Sequence, residues 1–384
     1  MYSSVRNLQY QITNYKFVLH ISQFFCTFAL KLDYRTIIGN ALTQILTYEQ
    51  INRADWQRLV EKSQTGSWFQ TPEAYAFYAS LPDVTEPFVF GVETDGQLRA
   101  VCVGYVTQEK SRVKQIFTCR AIVNGGICCA ENTTNTEIEI LLTAVRNYAS
   151  AKSIYIETRN FNDYSPRKEA FEKAGFAYQP HLNYHIDCSS KERMEALLSP
   201  VRKRQIRKAM LSGAVIEEAR TEQEVRDWYR ILAPLYRRKV KTPLFPLSFF
   251  LTFFRSGAGT YLLVKYEGKV IGGIMCPILP NRCIYEWFIC GLDTAYHDQY
   301  PSVMATYAAM DYAASHHLPR FDVMGAGEPG VPYGVRDFKA EFGGSLVEHG
   351  RFLHICHPWL YRIGAWGVRM MKRYAFAASG DGVE

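Results

Sequence analysis

The chain has 384 residues, a length that two domains ordinarily fill. It is 48% hydrophobic and 14% aromatic, which supplies ample material for buried cores, and its formal net charge of +7 points mildly toward a polyanionic partner. Ten cysteines without a CxxC pair or a Cys/His ligand spacing exclude a zinc site, so no metal is expected.

Those cysteines fall mostly in apolar runs, where the free thiol behaves as a small hydrophobe, so a reducing, cytoplasmic compartment is expected. No window approaches the 18–20 apolar residues of a membrane span. Residues 17–30 are interrupted by His20, Ser22, Gln23 and Thr27 and lack a small-residue cleavage site, so they are not read as a signal peptide. Residues 1–43 do not resemble the rest of the chain and are set aside as an N-terminal extension, not necessarily native.

Residues 44–62 begin with Ile45 and Leu46 and continue in a helical pattern of Tyr48, Ile51, Trp56, Leu59 and Val60. Thr71-Pro72 then predicts an N-cap and first helical residue, with the helix running to about Ser80. Phe88–Glu93 and Leu98–Val106 read as strands joined at Asp95-Gly96, a hairpin turn signal. A strand over Lys114–Val123, a helix over Glu137–Ser150 and a strand over Ser153–Thr158 follow. A short helix over Glu169–Ala174, stopped by Gly175, and a strand over Tyr184–Asp187 complete the set.

From residue 260 the same order returns. Thr260–Tyr266 and Val270–Leu279 flank Glu267-Gly268; Cys283–Leu292 is a strand; Ser302 caps a helix to His317; Arg320–Met324 is a strand. Asp337–Phe342 is a short helix stopped by Gly343-Gly344, and Ser345–Ile355 is one closing strand. Gly96 and Gly268 lie 172 residues apart, and Gly175 and Gly343 lie 168 apart. A near-constant offset over five elements predicts a duplication. The fold class expected is mixed α/β, as two copies of one module, 44–195 and 196–384, the second carrying the active site.

The stretch from Asp322 to Arg351 stands out. Seven glycines sit there among Asp322, Glu328, Arg336, Asp337, Lys339 and Glu341, with the aromatics Tyr333, Phe338 and Phe342. Glycine permits close backbone approach, and long loops inside compact domains are usually functional. Upstream, Ser199-Pro200 opens a helix holding Arg202, Lys203, Arg204, Arg207 and Lys208. Its like-charge i,i+4 pairs cost roughly 0.2–0.5 kcal/mol each, which an anion nearby would offset. The helix reads as a phosphate-contacting surface for RNA, with Tyr236 and the run Arg237-Arg238-Lys239-Val240-Lys241 beside it.

The element order resembles the GNAT acetyltransferase fold. Two such modules with SWFQTPEAY (67–75), VRKRQIRKA (201–209), YPSVMATYAAMDYA (300–313) and FDVMGAGEPGVPYGVRDFKAEFGG (321–344) resemble the FemABX peptidyltransferases over residues 45–365. The resemblance implies two tandem GNAT-like modules. It implies an aminoacyltransferase that moves an amino acid from aminoacyl-tRNA onto an amine of a peptidoglycan or other cell-envelope precursor. It also implies peripheral membrane association through a lipid-linked substrate, and no DNA partner is expected. The alternative is an acyl-CoA-dependent or other N-acyltransferase acting on surface polysaccharide or lipid.

By the same resemblance, Phe338-Lys339 lies at the reaction centre, Arg238 grips the precursor's phosphate or carboxylate, and Tyr285 lines the substrate groove. Tyr333, Arg336 and Asp337 are taken as further substrate-binding residues, Arg336 and Asp337 pairing with each other or ordering the loop. A fixed cation such as Lys339 stabilises the oxyanion that forms when an amine attacks an ester. The base is left open among Asp322, Glu286 and Asp337.

Two departures from the family matter: Ala76-Phe77-Tyr78-Ala79 holds no lysine where the family often has one, and 196–240 is too short for a coiled-coil arm. GNAT enzymes cradle the Coenzyme A pyrophosphate on a Gly-rich turn before the long helix. Here 296–302 and 128–135 hold no glycine there, so no cofactor is expected. His181, His185, His349, His354 and His357 have no Ser or Cys partner in a nucleophile motif, which argues against covalent catalysis.

Overall fold

The computed structural model describes residues 35–38, 41–109, 115, 118–240 and 242–364. Most of the N-terminal extension, Lys241 and residues 365–384 therefore lie outside the described residues.

In the first half, β1 (Arg35–Ile38), β2 (Ala41–Thr47), β3 (Thr85–Thr94), β4 (Gln97–Thr107), β5 (Ala121–Asn124) and β6 (Cys128–Cys129) precede β7 (Tyr155–Arg159), β8 (Ala177–Gln179) and β9 (Leu182–Asp187). Helices α1 (Arg53–Lys62), α2 (Pro72–Ala79), α3 (Asn135–Ser150) and α4 (Lys168–Lys173) are interspersed. Helices α5 (Lys191–Leu197), α6 (Pro200–Leu211), α7 (Glu222–Leu235) and α8 (Leu247–Ser256) follow, with β10 (Val215–Glu218) between α6 and α7. Next come β11 (Gly259–Tyr266), β12 (Lys269–Leu279), β13 (Cys283–Tyr285), β14 (Phe288–Gly291), α9 (Pro301–Ser315), β15 (Arg320–Asp322), α10 (Gly334–Ala340), β16 (Ser345–Glu348) and β17 (Arg351–Ile355).

Local signals hold where they are short-range. Thr71 caps α2 with Pro72 at its first position, and Ser199 caps α6 through Arg202 N–H. Both hairpins turn on two residues of positive φ, Asp95 and Gly96 in one, Glu267 and Gly268 in the other. Paired positive φ is what a type I′ turn needs. The first sheet begins upstream of residue 44, because β2 pairs along β3 from Thr43↔Thr94 to Thr47↔Phe90. Of the strand expected over Lys114–Val123, Lys114, Ile116 and Phe117 lie outside the described residues and Ala121–Asn124 forms β5, while Cys283–Leu292 breaks into β13 and β14 around Glu286 and Trp287. Ser302 is not the cap of α9. That helix starts at Pro301, and the left-handed Tyr300 precedes it.

The largest difference from expectation concerns the closing strand. Ser345–Ile355 is two strands in two different sheets, split at His349-Gly350. The first sheet runs β1-β2-β3-β4-β5-β7-β17-β8 and the second β10-β11-β12-β13-β15-β9-β16. Thus β17, from the second half, lies antiparallel between β7 and β8. Reciprocally, β9, from the first half, lies between β15 and β16. Two strands therefore cross the 195/196 boundary that the sequence draws, and they do so symmetrically, as a duplication would arrange.

Each sheet packs its own helices. One core joins α3 and α4 to β3, β4 and β7; another joins α6 and α9 to β11 and β12. A third core lies between the halves and accounts for much of the aromatic content. Trp68, Phe69 and Phe77 meet Phe249, Phe253, Tyr285 and Trp287 there, with Phe69 and Trp287 ring centroids 5.0 Å apart. Gln70, fully buried, bridges the gap where β4 and β5 diverge. Its amide donates to the carbonyls of Val103 and Asn124 (2.9 Å each) and accepts from Val103 N–H (2.8 Å).

Candidate active site

Lys339 sits on α10, near the turn at its end, and only 8% of the residue is exposed. Its ammonium fills the opening where β13 and β15 part company. It donates to Val323 C=O (2.7 Å) and Gly325 C=O (2.9 Å) and lies 2.8 Å from Glu286 Oε1. Those three partners use all three of its N–H groups. The carbonyls converge because the chain turns sharply after β15: Met324 has φ +55 and Gly325 φ +134. A non-glycine residue at positive φ is costly unless its surroundings enforce it. The enforcement comes from Asp322, whose Oδ1 accepts from Met324 N–H and Asn183 Nδ2, 2.8 Å each.

The three carboxylates proposed as base separate cleanly. Asp322 is fully buried; hydrogen bonding, with His185 Nε2 3.1 Å away, outweighs burial and holds its pKa below the ordinary range. Asp337 is exposed on the outer face of α10. Glu286 is buried beside Lys339, and burial pushes its pKa up despite the pull of that ammonium. A carboxylate with a raised pKa is the better proton acceptor.

The other expected residues scatter. Arg202 does not face solvent as a phosphate contact. It is buried, with its guanidinium over the rings of Phe338 (4.5 Å) and Phe342 (5.0 Å), and donates to Phe338 C=O (3.1 Å). Lys203, Arg204 and Arg207 are exposed on the same helix, and Lys208 is tied to Asp298 at 2.5 Å. Arg336 does not pair with Asp337. It clasps the glycine-rich loop instead, donating to the carbonyls of Ala326 (2.7 Å), Val331 (3.0 Å) and Glu328. Tyr285 is 0% exposed and packs edge-on to Phe69 and tilted against Phe161, so it belongs to the core rather than to an open groove wall. Tyr333, half-exposed, covers Gly327, where a β-carbon would come within 2.8 Å of its ring. Arg238 is exposed on the π-helical turn Tyr236–Val240.

At the start of each long helix the chain places a carboxylate of its own. At α9, Asp293 accepts from Ser302 N–H (2.9 Å) and Ser302 Oγ (2.5 Å). At α3, Glu137 accepts from Thr134 N–H (2.7 Å) and Thr94 Oγ1 (2.6 Å). Neither residue stood out in the sequence. Asp293 lies nine positions ahead of its partner, beyond the reach of a capping pattern. Two open surface grooves, of ≈ 750 Å³ beside Ile206 and Met210 and ≈ 640 Å³ beside Lys168 and Tyr178, are lined by neither Lys339 nor Glu286.

A profile of the acetyltransferase (GNAT) domain family matches residues 201–339. No curated protein matches the chain in sequence. Among solved structures, FemX is similar with a TM-score of 0.64 and 13% identity, over 83% of this chain and 99% of that one. A tandem GNAT protein from the clavulanic acid biosynthesis pathway is similar at TM-score 0.52 and 9% identity, over 82% and 98%. A conserved protein of unknown function from Bacteroides thetaiotaomicron gives 0.53 and 9%, over 81% and 99%. At such identities the likeness establishes the fold. The chain has the tandem GNAT architecture, and the GNAT domain profile falls within its second half.

Proposed function

We propose that the protein transfers an amino acid from aminoacyl-tRNA to an amine of a peptidoglycan or related envelope precursor. The observation that carries this reading is a carboxylate at the start of each long helix. Asp293 and Glu137 each place a negative charge at the helix start where a Coenzyme A pyrophosphate would need bare N–H groups. An acyl donor of another kind fits better, and the FemABX resemblance supplies an aminoacyl ester.

The reaction is direct aminolysis. The acceptor amine attacks the ester carbonyl carbon, and the C–O bond to the ribose breaks as the amide forms. Glu286 takes the amine proton and returns it to the departing ribose oxygen. Protonation of Glu286 weakens its hold on Lys339, 2.8 Å away, and frees one ammonium N–H for the oxyanion as that charge develops. The pair thus links proton removal to charge stabilisation. Phe338 and Arg202 keep α10 seated while this happens. Lys203, Arg204 and Arg207 supply an exposed cationic face for tRNA phosphates, and the lipid-linked or soluble form of the acceptor sets whether the protein works at a membrane surface.

The test is donor competition. Incubated with an amine acceptor, the protein should consume charged tRNA and spare acetyl-CoA. Acyl transfer from acetyl-CoA with charged tRNA left intact would overturn the proposal.

A further inference from the structure

A row of polar residues crosses three neighbouring strands of the first sheet on the face turned toward the second half. Asn124 on β5 is paired with Arg159 on β7, and Arg159 with Arg351 on β17. The alternation of β7 puts Ile156 and Thr158 into the core of the first half and leaves Glu157 and Arg159 on the other face. Glu157 lies between the two arginines, 2.8 Å from Arg159 Nε and 2.9 Å from Arg351 Nη1. Those cations hold its pKa at about 2 in spite of burial, so it stays ionised. His181 accepts from Arg351 Nη2 at 3.0 Å and is kept neutral by burial and the adjacent guanidinium, its pKa lowered to about 4. Two guanidinium groups against one carboxylate leave one positive charge.

That charge is presented rather than buried. Arg159 uses Nε on Glu157, its two terminal nitrogens make no hydrogen bond to a described residue, and 34% of the side chain is exposed. Beneath it, both amide atoms of Asn124 and the hydroxyl of Tyr78 are buried without a hydrogen-bond partner. Tyr236, from the second half, lies within electrostatic range of Arg159, Glu286 and Tyr333.

We propose that Asn124, Arg159 and Arg351 form a subsite for a singly charged oxyanion of the acceptor, a carboxylate or a phosphodiester, gripped by the free terminal nitrogens of Arg159. A planar guanidinium takes such a group at two points, and one net charge suits a monoanion better than a pyrophosphate. This rests on the aminoacyl-transfer reading, but binding is measurable without any donor. Three probes separate the sources: N-acetyl-alanyl-alanine, its C-terminal amide and dimethyl phosphate, each titrated by NMR into the full chain.

The free acid, the phosphodiester or both should bind, and Arg159→Gln should weaken that binding by about tenfold or more. Arg159→Lys should recover part of it, and the surface variant Arg58→Gln should change nothing. Thermal unfolding of each variant checks that the fold is kept. Equal binding of the acid and its amide, unaltered binding in Arg159→Gln, or no binding of either anion would overturn the subsite. Should anion binding hold while charged tRNA is not consumed, the subsite stands and the aminoacyl-transfer reading falls.

Discussion

The guanidinium of Arg202 lies 4.5 Å over the ring of Phe338, one residue before the lysine at the centre of the site. A cation read from the sequence as a nucleic-acid contact is instead a brace for α10. Arg202→Met should lower transfer activity and destabilise the fold by about 2 kcal/mol, from the lost cation–π contact and hydrogen bond. It should leave the salt dependence of tRNA binding unchanged. Thermal melts and filter binding over a salt series check both halves.

Lys203, Arg204 and Arg207 behave differently, because they are exposed. Replacing all three by Gln should leave stability within about 0.5 kcal/mol, as for ordinary surface changes. The slope of log affinity for tRNA against log salt should fall by about 2–3, near one unit per lost phosphate contact. An unchanged slope would remove α6 from the tRNA surface.

The Lys339–Glu286 pair allows a double-substitution test. Lys339→Met alone leaves a buried carboxylate unpaired, which typically costs 3–5 kcal/mol, reduced to the extent that Glu286 protonates. Combining Lys339→Met with Glu286→Leu should recover most of that stability, since apolar replacement of a whole buried pair is often neutral. Activity should stay lost in the double variant. Recovery of activity along with stability would assign the pair a purely structural role.

Two pH effects follow from burial. Glu286 titrates above the ordinary glutamate range, so the acid limb of the rate profile should sit above pH 4.3 and vanish in Glu286→Gln along with activity. His181 and His349 have pKa values lowered to about 4, mainly by burial. An unfolded histidine titrates near 6.5, so between those values the unfolded chain binds more protons. Stability should therefore fall as pH drops from about 6.5 toward 4, and stay level with respect to these groups above 6.5. Melting temperature against pH, compared with His181→Gln/His349→Gln, measures the slope.

Much of this was legible locally. The two hairpins were marked by Asp95-Gly96 and Glu267-Gly268, and the caps of α2 and α6 by Thr71-Pro72 and Ser199-Pro200, because turns and caps are decided by residues within a few positions. Phe338-Lys339 was singled out through a motif, and the contact of Lys339 with Glu286 is what the structure adds. What escaped was non-local. Arg202 looked like its cationic neighbours because the ring it covers lies 136 residues away. Arg159 gave a weak signal, a Glu-x-Arg pair at a strand end, and its pairing with Arg351 depends on a register no local pattern encodes. His349-Gly350 passed for the middle of one strand, although Gly350 at φ +63 turns the chain from one sheet to the other.

The exchange of β9 and β17 has a consequence during synthesis. As the chain emerges from the ribosome, its first sheet is complete but for one slot between β7 and β8, which only residues 351–355 can fill. Until then a strand edge stays open to any extended peptide nearby. Nascent chains released before about residue 350 should therefore clump or recruit holding factors, and two separately expressed halves should find each other and zip together.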